Sequence, residues 1–372
     1  MIENPFVTNG YAGPEYFCDR VQETADISSL LLNGNDIALI SPRRYGKTDL
    51  LRHCFTQEKF QHDCYTFIVD IYSTKSRSDL AQAMGRAILD VLKPKGKKTW
   101  EAFTNLLQSV RAFFTFDSNG EPVWSLGLGD IQNPDTTLDE IFRYLNTADR
   151  RCFVAIDEFQ QIQKYNDPTI EAALRTYTQY CSNANFVFSG SQREMMGSMF
   201  TSPGRPFYQS ATIFNLKPID KDRYIQFCQE KFNDYKKTVE EDAVAQVYDC
   251  FEGCTFFMQK MMNVAFMKSV PGKAVTAADM AAALDFILDF SSDTYEELLY
   301  QIPEKQKQLL MAIAREGKVH NLTAGQFSRK YHLTAASAQS AVKGLIEKGL
   351  VTYERGTYRI YDYFLQFWLE RR

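Results

Sequence analysis

An apolar run, Asp36-Ile37-Ala38-Leu39-Ile40, leads at once into Ser41-Pro42-Arg43-Arg44-Tyr45-Gly46-Lys47-Thr48 and then Asp49-Leu50-Leu51-Arg52-His53-Cys54-Phe55. The first piece is long enough for a buried strand, and the last reads as a helix. A strand that turns into a helix through Gly-Lys-Thr has the layout of a phosphate-binding loop. The chemistry needs these residue types. Loop N–H groups and the helix N-terminus point at an anion. Gly46 lets the backbone approach without a Cβ in the way. Lys47 reaches the β and γ phosphates, and the Thr48 hydroxyl holds Mg²⁺. The general pattern opens on a glycine where this chain has Ser41. The expected nucleotide cradle is therefore Ser41, Pro42, Arg43, Arg44, Tyr45, Gly46, Lys47, Thr48 and Asp49. The bland alternative is an ordinary strand–helix turn with Lys47 merely solvated.

A second constellation supports the first. Arg151-Cys152-Phe153-Val154-Ala155-Ile156 reads as a buried strand ending in Asp157-Glu158. Carboxylates at the carboxyl end of a parallel strand sit where α/β sheets bind ligands. Asp157 is the expected Mg²⁺ acid, and Glu158 is placed to orient or deprotonate the attacking water. Alone, Asp157 could equally cap the next helix. A third strand, Asn185-Phe186-Val187-Phe188, ends in Ser189-Gly190-Ser191-Gln192-Arg193. Ser191 and Gln192 are the polar candidates there for the γ-phosphate or the water. Arg193 is a charge sensor or a solvated helix start.

These segments resemble the archaeal-type ATPases of the P-loop AAA+/STAND group. The matching pieces are Tyr16-Phe17-Cys18-Asp19-Arg20, Ile40-Ser41-Pro42-Arg43-Arg44-Tyr45-Gly46-Lys47-Thr48, Ala155-Ile156-Asp157-Glu158-Phe159, Ser189-Gly190-Ser191, Leu216-Lys217-Pro218 and Gly253-Cys254-Thr255. The resemblance covers nearly the whole chain. It implies Phe17 and Arg20 as base- or ribose-side contacts, Glu158 as catalytic base and Ser191 as the sensor. Two departures stand out. Family members often carry an arginine where this chain reads Tyr208-Gln209-Ser210-Ala211, and Arg205 is the candidate replacement as an arginine finger. Thr255 stands where the family often has a proline near the nucleotide.

The expected fold is α/β: a P-loop NTPase, AAA+-like parallel sheet core with a helical lid and a C-terminal winged helix-turn-helix domain. The core spans 1–215, with a β-hairpin insertion near 111–130. The hairpin signal is Asn119-Gly120 between two aromatic-rich runs. Gly127 and Gly129 imitate a Gly-x-Gly loop, but no helix opens after them, so the hairpin is the preferred reading. Thr136-Thr137-Leu138-Asp139 reads as the cap of the helix before the acidic strand. The lid spans 216–303 with amphipathic helices at 222–232, 240–251, 255–268 and 276–286. The winged domain spans 304–372. Its third helix puts Ala338, Ala341, Val342, Leu345 and Ile346 inward. Ser337, Gln339, Ser340 and Lys343 form the face that could enter a DNA groove, with Arg355 on the wing. The apolar tail around Trp368 is expected to pack on the winged domain or on a partner.

Charge divides the chain in two. Its 372 residues hold 42 Lys and Arg against 46 Asp and Glu, a net −4. Beyond Glu304 there are 12 basic and 5 acidic residues, +7, which leaves 30 against 41, or −11, elsewhere. An acidic body with a basic tail suggests nucleic-acid contact or docking of the tail. No run is long and apolar enough for a membrane span. The N-terminus lacks a signal core, and eight scattered Cys without Cys-x-x-Cys suit a reducing compartment rather than a zinc site. The expectation is a cytoplasmic Mg²⁺-dependent ATPase that binds ATP and acts as a nucleotide-controlled switch. DNA, a second copy or a protein client are its possible partners. The alternative is a DNA-binding regulator whose nucleotide is mainly structural.

Overall fold

The computed structural model describes residues 3–118, 120–124, 131–354 and 356–372. The chain forms two compact units: Asn9–Asp220, and Met1–Thr8 with Lys221–Arg372.

The first unit is built on five strands: β1 Ile37–Ile40, β2 Cys64–Asp70, β3 Arg151–Asp157, β4 Ala184–Gly190 and β5 Thr212–Asn215. They lie in the order β2-β3-β4-β1-β5, and every pairing is parallel. The period of two in a strand explains how this sheet buries both faces. Ile37 and Leu39 face one core with Phe153, Ala155 and Val187. Ala38 and Ile40 face the other with Phe67, Val69, Val154, Ile156, Phe186 and Phe188. Covered on both sides, these strands are continuous apolar runs rather than alternating ones, as parallel sheets require. The polar residues at their carboxyl ends, beginning with Ser41, Asp157 and Ser191, therefore cluster along one edge of the sheet.

Local chemistry sets the surrounding helices. Ser76 caps the helix Arg77–Leu92 by accepting from the Asp79 N–H. The helix Pro134–Thr147 begins earlier than the sequence suggested. Its cap is Asn133, whose side chain accepts from the Thr136 N–H, and Pro134 takes the first-turn position where a missing N–H costs nothing. Thr137 is instead buried, with its hydroxyl on the Asn133 carbonyl and Ser109 Oγ. The expected insertion contains a hairpin, Phe114–Phe116 paired antiparallel with Pro122–Trp124. Asn119, Gly127 and Gly129 lie outside the described residues.

In the second unit, the helices Lys221–Asp234, Glu241–Cys250 and Thr255–Lys268 are followed by Ala277–Tyr300. Thr276 and Asp279 form a reciprocal capping box at the start of that last helix. It runs well past the expected end at Phe286, because no Gly or Pro interrupts the chain before Pro303. The N-terminal arm belongs here rather than with the sheet. Phe6 is fully buried against Phe227, Phe232 and Phe266, and Asn4 and Asn263 exchange side-chain bonds with backbone carbonyls of the opposite segment.

Helices Glu304–Glu316, Gly325–Tyr331 and Ala335–Glu347 and the antiparallel pair Val351–Glu354/Thr357–Ile360 make a winged helix. Ala338, Ala341, Val342 and Leu345 are buried as expected, but Ile346 is 40% exposed. The C-terminal helix Tyr363–Glu370 packs, as expected, on the first winged-domain helix Glu304–Glu316, and also on Ala277–Tyr300 of the same unit. Tyr363 and Phe364 meet Phe251 and Phe257, and Arg371 pairs with Asp285. Glu252 accepts from both Lys318 and Arg359, and these two cations hold its carboxyl below the usual range despite burial. Trp368 is 5% exposed, and its indole N–H donates to Ser292 Oγ at 3.1 Å. Trp368→Ala is expected to destabilise the protein by about 3–5 kcal/mol, the usual cost of emptying a buried Trp site. Urea unfolding checks this, and a loss below about 1 kcal/mol would mean that the last helix contributes little. No described helix is long and apolar enough to cross a membrane. All eight cysteines are free thiols, and seven of them are buried.

Candidate functional site

The site is assembled at the carboxyl ends of β1, β3 and β4. Residues 41–46 connect β1 to the helix Lys47–Phe55. The turn is tight: Arg44 has φ 68° and Gly46 has φ 81°, both left-handed. A Cβ at Gly46 would meet no protein atom within 4 Å, so the backbone conformation is what demands glycine in the protein itself. The Ser41 N–H donates to the Gly190 carbonyl at 3.3 Å, which ties the loop to the end of β4.

Lys47 is 6% exposed, and its ammonium lies 3.4 Å from the Ser41 carbonyl and 3.3 Å from that of Pro42. Burial depresses its pKa. Glu158 and Asp157 push it back up, while Arg43 and Arg193 add to the depression. Lys47 is thus a buried cation set among two carboxylates and two guanidinium groups. Asp49, in the first helical turn, has its pKa raised by burial and by Asp157, against the pull of Arg52.

The parallel register carries Asp157 to the loop. Thr48 Oγ1 donates to Asp157 Oδ2 across a separation of 109 residues. The other carboxylate oxygen accepts from Ser189 Oγ at 2.7 Å and from the Glu158 N–H at 3.0 Å. Glu158 has φ 57°, a left-handed conformation that ends β3 abruptly. Its Oε2 accepts from Ser191 Oγ at 2.7 Å and from Gln160 Nε2 at 2.5 Å. Arg43 Nε lies 3.4 Å from the same Ser191 hydroxyl, and its guanidinium is 5.6 Å from the Tyr72 ring centre. Gln192 holds the cap position of the helix Arg193–Thr201 but makes no side-chain cap bond. Arg193 begins that helix with its Nε buried and unpartnered.

The family described as an ATPase domain predominantly from Archaea matches residues 17–257. The chain belongs to this ATPase family. A probable winged helix domain matches residues 293–371. No curated protein matches the chain in sequence. Solved structures do match in fold. The Walker-type ATPase of Pyrococcus abyssi superposes with a TM-score of 0.63 at 17% identity, over 98% of this chain and 99% of that one. The Orc2 protein of Aeropyrum pernix, in ADPNP–ADP complexes, gives 0.57 at 14% identity over 99% and 95%. The Orc1 protein of the same organism, in complex with DNA, gives 0.56 at 14% identity over 99% and 96%. The architecture is accordingly a P-loop NTPase-like parallel sheet core with helices, followed by a C-terminal winged helix domain.

The remaining candidates of this ATPase-family chain are placed as follows. Phe17 stacks on His53, 4.4 Å between ring centres, and His53 stands on the helix that follows the loop. Tyr11 closes the group with its hydroxyl 2.9 Å from His53 Nδ1. Arg20 is 2% exposed, is left-handed at φ 64°, and pairs with Glu23 at 2.6 Å, while its Nη2 is buried without a partner. Arg205 is not joined to the loop or to the acidic pair by any hydrogen bond or ion pair among the described residues. Its partner is the buried Glu171. Arg355 lies outside the described residues.

Two participants were missed. Ser189 sits fully buried in β4, and a polar residue inside an apolar strand was the available signal. Gln160 follows Glu158 by two positions in the short helix Phe159–Lys164, and nothing in its sequence context pointed to Glu158.

Proposed function

We propose that the protein is a Mg²⁺-dependent ATPase that works as a nucleotide-controlled switch. The Thr48–Asp157 hydrogen bond carries this reading, because it brings the loop hydroxyl and the strand-end acid to one point. Two hard oxygens suit Mg²⁺, which prefers few protein ligands and completes its shell with substrate phosphates and water. Among the described residues no cluster of three or more His, Cys, Asp or Glu offers a competing metal cage. When bound there, the ion neutralises charge on the phosphates. Lys47 and the loop N–H groups that follow Pro42 hold the phosphate oxygens, while Phe17 and Arg20 serve the base or ribose side. Glu158 has Oε2 committed to Ser191 and Gln160. That leaves Oε1 to accept the proton of the attacking water. Ser191 bonds that carboxylate, Arg43 reaches Ser191, and Arg43 and Arg193 act on Lys47, so all three are suited to sense the γ-phosphate. Arg205, the candidate finger, pairs with the buried Glu171 within this chain. Steady-state release of phosphate from ATP with and without Mg²⁺ tests the reading. No release above background overturns it.

One observation favours a second reading, a DNA-binding regulator with mainly structural nucleotide. Gln339, Ser340 and Lys343 are exposed on one helix of the winged domain, in a segment with a surplus of positive charge. On this reading duplex DNA binds with an affinity that falls steeply with salt, and Lys343→Ala weakens binding to all sequences alike. Fluorescence anisotropy at several salt concentrations reads both effects. Salt-sensitive binding without ATP turnover selects the regulator.

A further inference from the structure

Gln160 is 2% exposed, although its side chain is an amide. Its Nε2 reaches Glu158 Oε2 at 2.5 Å and Ser191 Oγ at 3.4 Å. An amide nitrogen has two hydrogens, and these are its two acceptors. The Ser191 hydroxyl has one hydrogen, which it gives to the same Glu158 Oε2 at 2.7 Å. The donors therefore converge on one carboxylate oxygen and leave the other free. The cost appears on the far side of the amide, where Gln160 Oε1 is buried with no donor. A buried unsatisfied carbonyl is unfavourable and calls for a compensating role.

The neighbourhood is shaped around this amide. Gly190 ends β4 without a positive φ, so its backbone does not demand glycine. A Cβ there would lie 2.5 Å from Gln160 Oε1 and 2.4 Å from Met196 Sδ. Glycine thus makes the room in which Gln160 lies behind the carboxylate. Glu158 itself is held on a left-handed backbone, so its side chain needs lateral support to keep one direction.

We propose that Gln160 is a positioning residue that aims Glu158 Oε1 at the attacking water, with Gly190 providing the space. This rests on Glu158 being the base of an ATPase. The variant to test is Gln160→Met, which keeps the volume and removes both donors along with the stranded carbonyl. The expected result is a fall in kcat of about tenfold or more, the scale of a misplaced catalytic group. KM, the Kd for ATP measured by calorimetry and the melting temperature should stay near wild type. Gln160→Met added to Glu158→Gln should cause no further loss, since Gln160 acts only through Glu158. Gln160→Glu keeps the length but loses the donors, and should not rescue.

The outcomes separate two failures. If the wild type does not turn over ATP, the ATPase reading fails and this assignment falls with it; if Glu158→Gln turns over at the wild-type rate, another group is the base and the assignment falls while the ATPase reading stands. If the wild type turns over ATP and Glu158→Gln stops it, but Gln160→Met keeps wild-type kcat, Gln160 does not position the base. The same follows if kcat and ATP affinity fall together, or if Gln160→Met lowers the residual rate of Glu158→Gln by the same factor.

Discussion

Lys47→Ala is expected to abolish ATP binding at working concentrations. Truncating one member of a buried, charge-assisted contact costs about 3–5 kcal/mol, or a hundredfold or more in affinity. Calorimetric titration with ATP and Mg²⁺ checks it, and affinity within a few-fold of wild type would refute the cradle. The loss should not reflect unfolding. Burial lowers the pKa of Lys47 from its ordinary value of 10.5, so the folded protein bears the cost of its ammonium at neutral pH. That cost eases as pH rises through the depressed pKa toward 10.5. Removing the side chain at pH 7 removes the cost together with the two carbonyl contacts. Melting of the nucleotide-free protein should then hold within about 1 kcal/mol of wild-type stability. Only the wild type should melt higher when ATP is added.

Glu158→Gln should separate binding from turnover. The amide keeps the volume of the carboxylate and one acceptor oxygen, and it tolerates the φ of 57° as the glutamate does. It cannot take a proton from water. Removing a general base costs about 10²- to 10⁴-fold in rate. Phosphate release should fall by that factor while the Kd for ATP stays near wild type. Turnover at the wild-type rate would show that another group activates the water. Loss of binding would show that Glu158 serves the phosphates instead.

Much of this site was legible because its parts are local. A buried strand, a left-handed turn and a helix start are each encoded within a few residues, so Gly46, Lys47 and Thr48 identify themselves. The acidic strand end was legible for the same reason. Ile346 was misjudged because a helical stripe read from spacing has an uncertain edge, and packing leaves it at the rim of the buried face. The cap at Asn133 was missed because several residues in a row, Asn133, Asp135, Thr136 and Thr137, are all chemically able to cap. Only the helix axis chooses among them. The two-part charge distribution was visible by counting, but the placement of Phe6 was not. Its three aromatic partners are more than 200 residues away.

By itself the sequence determined the strand–loop–helix that carries Gly46, Lys47 and Thr48, the strand-end acids, the succession of sheet, helices and winged helix, and membership in a family of ATPase domains. The elements follow from short-range periodicity and steric demands on single residues, and the membership from the family's motifs. The tertiary structure alone decided which polar groups touch. Strand order places β4 between β1 and β3, and the parallel register then delivers Thr48 to Asp157, Ser189 and Ser191 to the two acids, and Gln160 beneath Glu158. It also gave Arg205 to Glu171. Hydrogen bonds have a reach of about 3 Å, and no pattern in one dimension reports which distant side chains come within it.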